Sequence, residues 1–234
     1  MLHTQIDGGT VTLTLGRPDR GNALNEALVE DLLVQVQAAC GEASLHTLVL
    51  RGEGRHFCTG LDLSDLETAP DAQWLWRLVR IETLLSALWH APLRTVAVAQ
   101  GRAWGAGADL FAACEQRVAL PDSTLRFPGA RFGIVLGTRR LAERIGRDAA
   151  REVVLDGREL DAAQALACGL ATAAEERTPM APVTDARTAR ALRTATLRAA
   201  GGDQRDADLA DLVRSASEPG LRDRIAAYRA SQRP

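Results

Sequence analysis

The residues best placed for chemistry lie in Gly101-Arg102-Ala103-Trp104-Gly105-Ala106-Gly107-Ala108-Asp109, a glycine-rich stretch that ends on a carboxylate. It follows the apolar, β-branched run Thr95-Val96-Ala97-Val98-Ala99, which reads as a buried strand. It leads into 108–114, where small and apolar residues favour a helix, so the glycines mark a tight strand-to-helix turn. At a helix N-terminus the backbone N–H groups lack partners and the dipole favours negative charge. A carbonyl oxygen that becomes an oxyanion is stabilised there. Asp109 stands three residues after Ala106, which predicts a carboxylate on the same helix face as that N–H. The stretch therefore predicts an electrophilic pocket with an acid or base beside it. The spacing Gly-x-x-x-Gly-x-Gly also serves close packing of strand on helix, and on this stretch alone both readings stand. A phosphate cradle is disfavoured, since neither the Gly-Lys-Ser/Thr ending of a P-loop nor a clean Gly-x-Gly-x-x-Gly is present.

A second stretch shifts the balance. Residues 46–51 form an apolar strand, and Gly52-Glu53-Gly54-Arg55-His56-Phe57-Cys58-Thr59-Gly60-Leu61-Asp62-Leu63 then turns into a polar segment expected to start a helix. With Arg17-Pro18-Asp19 and Asn22-Ala23-Leu24, then Phe57 to Leu63, then Gly101 to Gly107, the chain resembles the crotonase (enoyl-CoA hydratase/isomerase) superfamily in motif order and spacing. The likeness continues through Phe127-Pro128, Gly133, Gly137-Thr138-Arg139-Arg140-Leu141 and Gly169-Leu170.

The resemblance implies an acyl-CoA thioester as substrate, its carbonyl oxygen held between the backbone N–H groups of Leu61 and Ala106, with Gly60, Asp62, Trp104, Gly105 and Gly129 around it. It implies coenzyme A only as part of the substrate and no other cofactor. Hydratases of the family use two glutamates. The first falls at Asp109, shortened by one methylene and so withdrawn by about one carbon–carbon bond, ~1.5 Å. The second falls at Gly129, which has no side chain, and the segment between Ile134 and Thr138 is shorter than the family's usual glycine-rich loop. Two functions stay open: an enzyme in which Asp109 moves a proton on a thioester enolate, and an acyl-CoA-binding protein without catalysis. Arg17, Arg20 and Arg55 are the cations nearest by motif to CoA phosphates.

Other titratable residues have simpler roles available. His56 fits a polar surface position better than a catalytic base, His90 ends a helix beside Ala91-Pro92, and Asp62 fits a helix cap. Glu143 and Arg140 lie on the helix after the shortened loop, which can bring them toward the pocket.

The elements that must position these groups follow from periodicity. Residues 10–15 alternate with period two and end at Gly16 and Pro18; Asn25 is a suitable N-cap for an amphipathic helix over 26–40. Apolar residues at helical spacing predict a long helix over 71–90, whose Trp74 and Trp76 suit packing better than an acyl pocket. Strands are expected over 116–120 and 124–127, and helices over 138–145, 148–155 and, capped by Asp161, to Ala167. Alternating strands and helices indicate an α/β fold, and the resemblance adds a spiral of β-β-α units. A change of composition near Thr178-Pro179-Met180-Ala181-Pro182 divides a core, 1–178, from a helical C-terminal segment, 179–234, with helices over 185–200, 206–216 and 220–231. In the family such a segment closes the pocket and joins subunits, which implies a homotrimer or dimer of trimers.

Composition sets the outer bounds. A chain of 234 residues, 46% of them hydrophobic, can bury a sizeable core, and a net charge of −2 favours neither nucleic acid nor an anionic membrane surface. All 28 basic residues are arginine, so Schiff-base chemistry through lysine is excluded. The cysteines Cys40, Cys58, Cys114 and Cys168 have neither zinc-site nor disulfide-framework spacing, so no metal is expected and a reduced, cytoplasmic setting is. No basic and apolar leader pattern or window of 18 apolar residues is read in the sequence.

Overall fold

The alternation of threonine with valine and leucine over Thr10–Leu15 becomes a strand whose Val11, Leu13 and Leu15 are buried. The structure, a computed structural model, describes residues 1–176, 181–199 and 202–232. In chain order the elements are β1 (Leu2–Asp7), β2 (Thr10–Leu15), α1 (Glu26–Gly41), β3 (Thr47–Gly52), α2 (Asp71–Trp89) and β4 (Arg94–Ala99). Next come β5 (Arg102–Trp104), α3 (Ala106–Ala113), β6 (Gln116–Ala119), β7 (Thr124–Arg126), α4 (Thr138–Ile145) and α5 (Arg147–Leu155). The rest are β8 (Glu159–Asp161), α6 (Ala162–Ala167), α7 (Ala186–Ala199), α8 (Arg205–Ala216) and α9 (Leu221–Ser231), with 3-10 turns at Pro18–Arg20 and Pro128–Phe132.

The larger sheet has the order β1-β2-β3-β4-β6; β1 pairs antiparallel with β2, and the other pairs are parallel. Its central strands are near-continuously apolar because both faces are covered. One face joins the main core with Leu28, Leu32, Leu84 and Phe111, while Val49, Val96, Val98 and Val118 form a separate cluster on the other. A smaller sheet, β5-β7-β8, stands after it; the bridge Cys58–Ala103 ties the loop behind β3 to its start, and Leu24–Leu61 ties the same loop to the chain before α1. Thus the two motif-bearing segments are stitched together by backbone pairing.

Local signals explain most boundaries. Asn25 accepts from the Leu28 N–H at 3.0 Å and starts α1, and Asp161 forms a capping box with Gln164 at the head of α6. Two expectations need correction. No helix begins in the segment after β3: residues 59–70 form turns and α2 starts only at Asp71, because side-chain ties described below hold this loop. The glycine stretch is also more than a turn, since Arg102–Trp104 pairs with β7 and α3 starts at Ala106, earlier than its apolar composition suggests. The strand β8 and the edge strand β1, largely exposed, carry too little apolar alternation to be read in advance.

The C-terminal helices are not a separate layer. α8 and α9 pack on α2, and Leu212, Leu221 and Ile225 share one apolar cluster with Trp74, Leu78 and Ile134. The expected linker residues Thr178, Pro179 and Met180, and the end of the first C-terminal helix at Ala200, lie outside the described residues.

Candidate active site

Two backbone N–H groups are freed by the way their segments pair. Leu24 takes both its bonds from the neighbours of Leu61, its N–H donating to the Gly60 carbonyl at 2.8 Å and its carbonyl accepting from Asp62 at 3.0 Å. In such a bridge the middle residue's own N–H lies on the opposite edge. Ala106 is the first residue of α3, where no intrahelical acceptor exists. Among the described residues neither N–H has an acceptor. Gly60 has φ 98°, and a Cβ there would lie 2.8 Å from the Trp104 carbonyl oxygen and 3.5 Å from the Ala106 nitrogen, so the two segments touch backbone to backbone. Gly105, at φ 54° and ψ −129°, holds a conformation open in practice to glycine alone. Gly107 serves the packing reading: a Cβ there would meet the Cys58 carbonyl oxygen at 2.2 Å. Gly107 thus serves the packing role weighed for this stretch, while Gly105 makes the turn that leaves the Ala106 N–H at the start of α3.

The two segments line one cavity of about 120 Å³. Thr59, Gly60 and Leu61 form one wall, Trp104, Gly105, Ala106 and Asp109 a second, and Phe127, Pro128 and Gly129 a third. The remainder is mostly apolar and not legible as a site from the sequence: Leu78 of α2, Phe132, Ile134, Leu136, Leu141 and, from the C-terminal helix α9, Ile225, with Thr138 and Tyr228 adding hydroxyl groups. No sequence spacing links α2 and α9 to the glycine motifs; only the packing of the C-terminal helices brings them there.

Asp109 lies in the first turn of α3 and is buried, with 6% of its surface exposed, and its Oδ1 has no hydrogen-bond partner among the described residues. Burial, reinforced by the negative Glu82, pushes its carboxyl well above the usual aspartate range, although Arg140 pulls the other way. Gly137 makes room for it: this residue has φ 66°, and a Cβ there would sit 2.3 Å from Oδ1. At Gly129 an added Cβ would meet the Ile134 carbonyl oxygen at 3.1 Å, so the turn Pro128–Phe132 leaves little space for a side chain.

The other candidates are distributed differently. Asp62 lies outside the cavity lining: it accepts from the Ser64 N–H at 2.9 Å and from Arg17 at 2.7 Å, an Asx turn instead of a helix cap. Burial opposes its ionisation, but the Arg17 and Ser64 bonds outweigh it and hold the carboxyl below the ordinary range. Arg17 also donates to the Ala23 carbonyl, so its guanidinium fastens the first turn to the loop holding Leu61. Arg20 and Arg55 are on the surface, away from the cavity lining. Asn22, at φ 55°, donates to the carbonyls of Glu53 and His56 and accepts from the Arg17 N–H, which explains an asparagine in that motif.

Trp104 reaches the cavity, but its indole N–H donates to Thr124 at 3.0 Å and its ring lies between Arg102 and Arg126. The His56 ring nitrogen Nδ1 accepts from the Arg102 N–H at 3.2 Å; burial and the neighbouring Arg102 and Arg55 keep that imidazole below its usual pKa. His90 is the C-cap of α2, bound to the Ser86 carbonyl. Trp74 is a core residue and Trp76 is exposed; neither lines the cavity. Glu143 pairs with Arg139 away from the cavity, and Arg140 is buried against Glu82. Among the described residues no group of His, Cys, Asp and Glu could hold a metal ion, and no helix is long and apolar enough to cross a membrane.

The chain is similar to known proteins in sequence and fold. A probable enoyl-CoA hydratase of Mycobacterium bovis is 37% identical over 164 residues, which are 69% of this chain and 65% of that protein. An enoyl-CoA isomerase/hydratase of Mycosarcoma maydis is 32% identical over 69% of this chain and 64% of its own length. The chain thus spans a little under two thirds of these relatives. A solved structure from Bordetella parapertussis, described as an enoyl-CoA hydratase/isomerase, superposes with a TM-score of 0.88 at 38% identity, covering 100% of this chain and 99% of that one. The family pattern described as enoyl-CoA hydratase/isomerase matches residues 5–196. With the paired glycine segments, the crossover sheet and these likenesses in agreement, the chain has the crotonase fold and belongs to the enoyl-CoA hydratase/isomerase family.

Proposed function

We propose that this protein binds a short acyl-CoA thioester and interconverts its enoyl and 3-hydroxyacyl forms through an enolate. The supporting observation is the single small cavity into which the Leu61 and Ala106 segments, both with acceptor-free N–H groups, and the buried Asp109 carboxyl all project a surface. In this reading the thioester oxygen accepts from Leu61 and Ala106, and negative charge developing on it meets two fixed donors and the N-terminal end of α3. Water adds to the β-carbon as the double-bond electrons move to that oxygen. The enolate then takes the Asp109 proton at the α-carbon, and the resulting aspartate receives the proton released by the added water. One carboxyl serves twice and is regenerated, which fits a site whose second family position is Gly129. Proton transfer without water at the same carboxyl is the corresponding route for double-bond migration. A cavity of about 120 Å³ is well under the roughly 300–1,000 Å³ usual for drug-sized ligands, which supports a short acyl group.

The second reading is an acyl-CoA-binding protein without turnover, favoured by the absent side chain at Gly129. Titration with crotonyl-CoA separates the two. Loss of the conjugated enoyl absorbance together with a raised melting temperature is the expected result. Binding without turnover establishes the second reading, and no binding up to millimolar ligand overturns both.

The same family reading extends to assembly as a homotrimer or dimer of trimers. A groove of about 1360 Å³ between the second face of the larger sheet and α7, lined by Val49, Val96, Val98 and Leu192, supports it. Sedimentation at micromolar concentration should give a trimer or hexamer, and a monomer would contradict this assignment.

A further inference from the structure

The motif Gly137-Thr138-Arg139-Arg140-Leu141 has a role that the reaction sketched above does not use. Gly137 precedes α4 with its α-carbon against the Asp109 carboxyl, and Arg140, three residues on, is on the same side of that helix. Arg140 is 1% exposed. Its guanidinium grips both Glu82 oxygens, at 3.0 and 2.6 Å, and reaches Asp208 of α8 at 3.1 Å. Asp208 in turn accepts two bonds from Arg139, at 2.8 and 2.7 Å. A two-pronged bond of this kind needs an acceptor at each carboxylate oxygen, so Glu82 enters it as the anion even though burial raises its pKa.

The two arginines of this cluster are fully matched by carboxylates without Asp109. Arg139 and Arg140 match Glu82 and Asp208, while Glu143 takes a further bond from Arg139 at the outer edge. The ionisable groups acting on Asp109 are Glu82 from α2 and Arg140 from α4; the cavity lining contributed by the Pro128–Phe132 turn and by α9 adds apolar groups and the Tyr228 phenol. An ionised Asp109 would be a surplus buried anion with no donor at Oδ1, beside a guanidinium whose Nη1 and Nη2 are committed to other carboxylates and whose Nε makes no bond to it. Such a charge is expensive unless paired.

We infer that Glu82 is a positioning residue which, held in place by Arg140 behind the cavity, keeps Asp109 in its acid form between turnovers, so that its first act is to give a proton. The inference deepens the proposed function and rests on it for the direction of proton transfer. When the Asp109 O–H bond breaks, the enolate's electron pair forms the α-carbon C–H bond and the thioester carbonyl is restored. The carboxylate left behind faces Glu82, which favours its rapid recovery of a proton from the water that added. A base-first step, removal of an α-proton by resting Asp109, is disfavoured by the same charges.

The test reads the carboxyl itself and needs no substrate. In protein carrying ¹³C-labelled aspartate carboxyls, the Asp109 resonance is the one lost in Asp109→Asn, and it is followed against pH. In the parent it should stay in the acid form through the range where ordinary aspartates ionise. In Glu82→Gln, which removes the negative neighbour and leaves Arg140 free to act on Asp109, the midpoint should move to lower pH, with the high-pH fall of turnover moving the same way. A parent resonance titrating with ordinary aspartates overturns the inference, as does a midpoint unmoved by Glu82→Gln. Should that variant fold poorly, Glu82→Gln with Arg140→Met, which replaces the pair by neutral groups, gives the comparison, and the parent titration alone still decides the resting state. A protein with a displaced midpoint and no turnover would keep this assignment and sink the proposed enzyme.

Discussion

The two ends of α3 obey opposite rules. At and beyond its C-terminal end two arginines collect carbonyls: Arg144 donates to Ala112 of the last turn and to the C-cap Cys114, and Arg117 donates to Cys114, Glu115, Leu170 and Gly169. Burial, with the neighbouring Arg144, pushes the Arg117 guanidinium down to about 9, yet it keeps that place because so many carbonyls depend on it. At the N-terminal end the Ala106 N–H has no acceptor, and the Asp109 Oδ1 has no donor, among the described residues. One helix is thus anchored at the end where polar groups are satisfied and left reactive at the end where they are not. The proposed function gives that difference a reason: unpaired buried polar groups cost stability, and a ligand seated in the cavity would complete them.

That contrast can be broken from either end. The largest effect belongs to the reactive end. Asp109→Asn keeps the shape of the carboxyl but cannot donate an acid proton, and turnover of crotonyl-CoA should fall by ~10²- to 10⁴-fold with binding of the thioester retained. Equal turnover in the two proteins would remove Asp109 from the chemistry. At the anchored end Arg117→Met should lower the stability to urea by about 2–4 kcal/mol, since the Glu115, Leu170 and Gly169 carbonyls lose the cation that donates to them, while affinity for the thioester in the folded protein stays the same. A loss below about 0.5 kcal/mol would show that those carbonyls find other donors.

The smallest effect sharpens the comparison by its sign. The folded pKa of Asp109 is raised, so the stability tied to its acid form is fully present below the ordinary aspartate range and is lost as pH rises toward the folded value. Asp109→Asn escapes that loss. Its melting temperature relative to the parent should therefore climb with pH above the ordinary aspartate range and level off at acid pH. A difference independent of pH would mean that Asp109 ionises in the fold as it does in the unfolded chain.

Much of this molecule is legible residue by residue. Helix starts at Asn25 and Asp161, the period-two strand Thr10–Leu15 and the greasy face of α2 follow from caps and spacing, because these depend on neighbours within a few residues. The glycine stretches are legible for the same reason: a positive φ at Gly60 or Gly105 is a local demand. The loop 59–70 was misread as the start of a helix because its conformation is set by Arg17 and Arg77, which lie elsewhere in the chain and grip Asp62 and Asp65. The short strand β8 is similarly defined by its partner β7, which an isolated Glu159-Leu160-Asp161 does not announce.

What the sequence determined by itself was the family motifs, the glycine turn before Ala106, the carboxyl at Asp109 and the lack of one at Gly129, since each is a matter of residue type at a fixed local position. Tertiary structure decided the rest of the site. It brought Ile225 and Tyr228 of α9 over a cavity begun more than a hundred residues earlier in the chain, at Gly60 and Leu61. It also set Glu82, Arg140 and Asp208, from three different helices, into one buried charge cluster behind Asp109. The physical reason is that burial and Coulomb interaction depend on distance through space, and no local pattern encodes which charges the packing of α2, α4 and α8 will leave side by side.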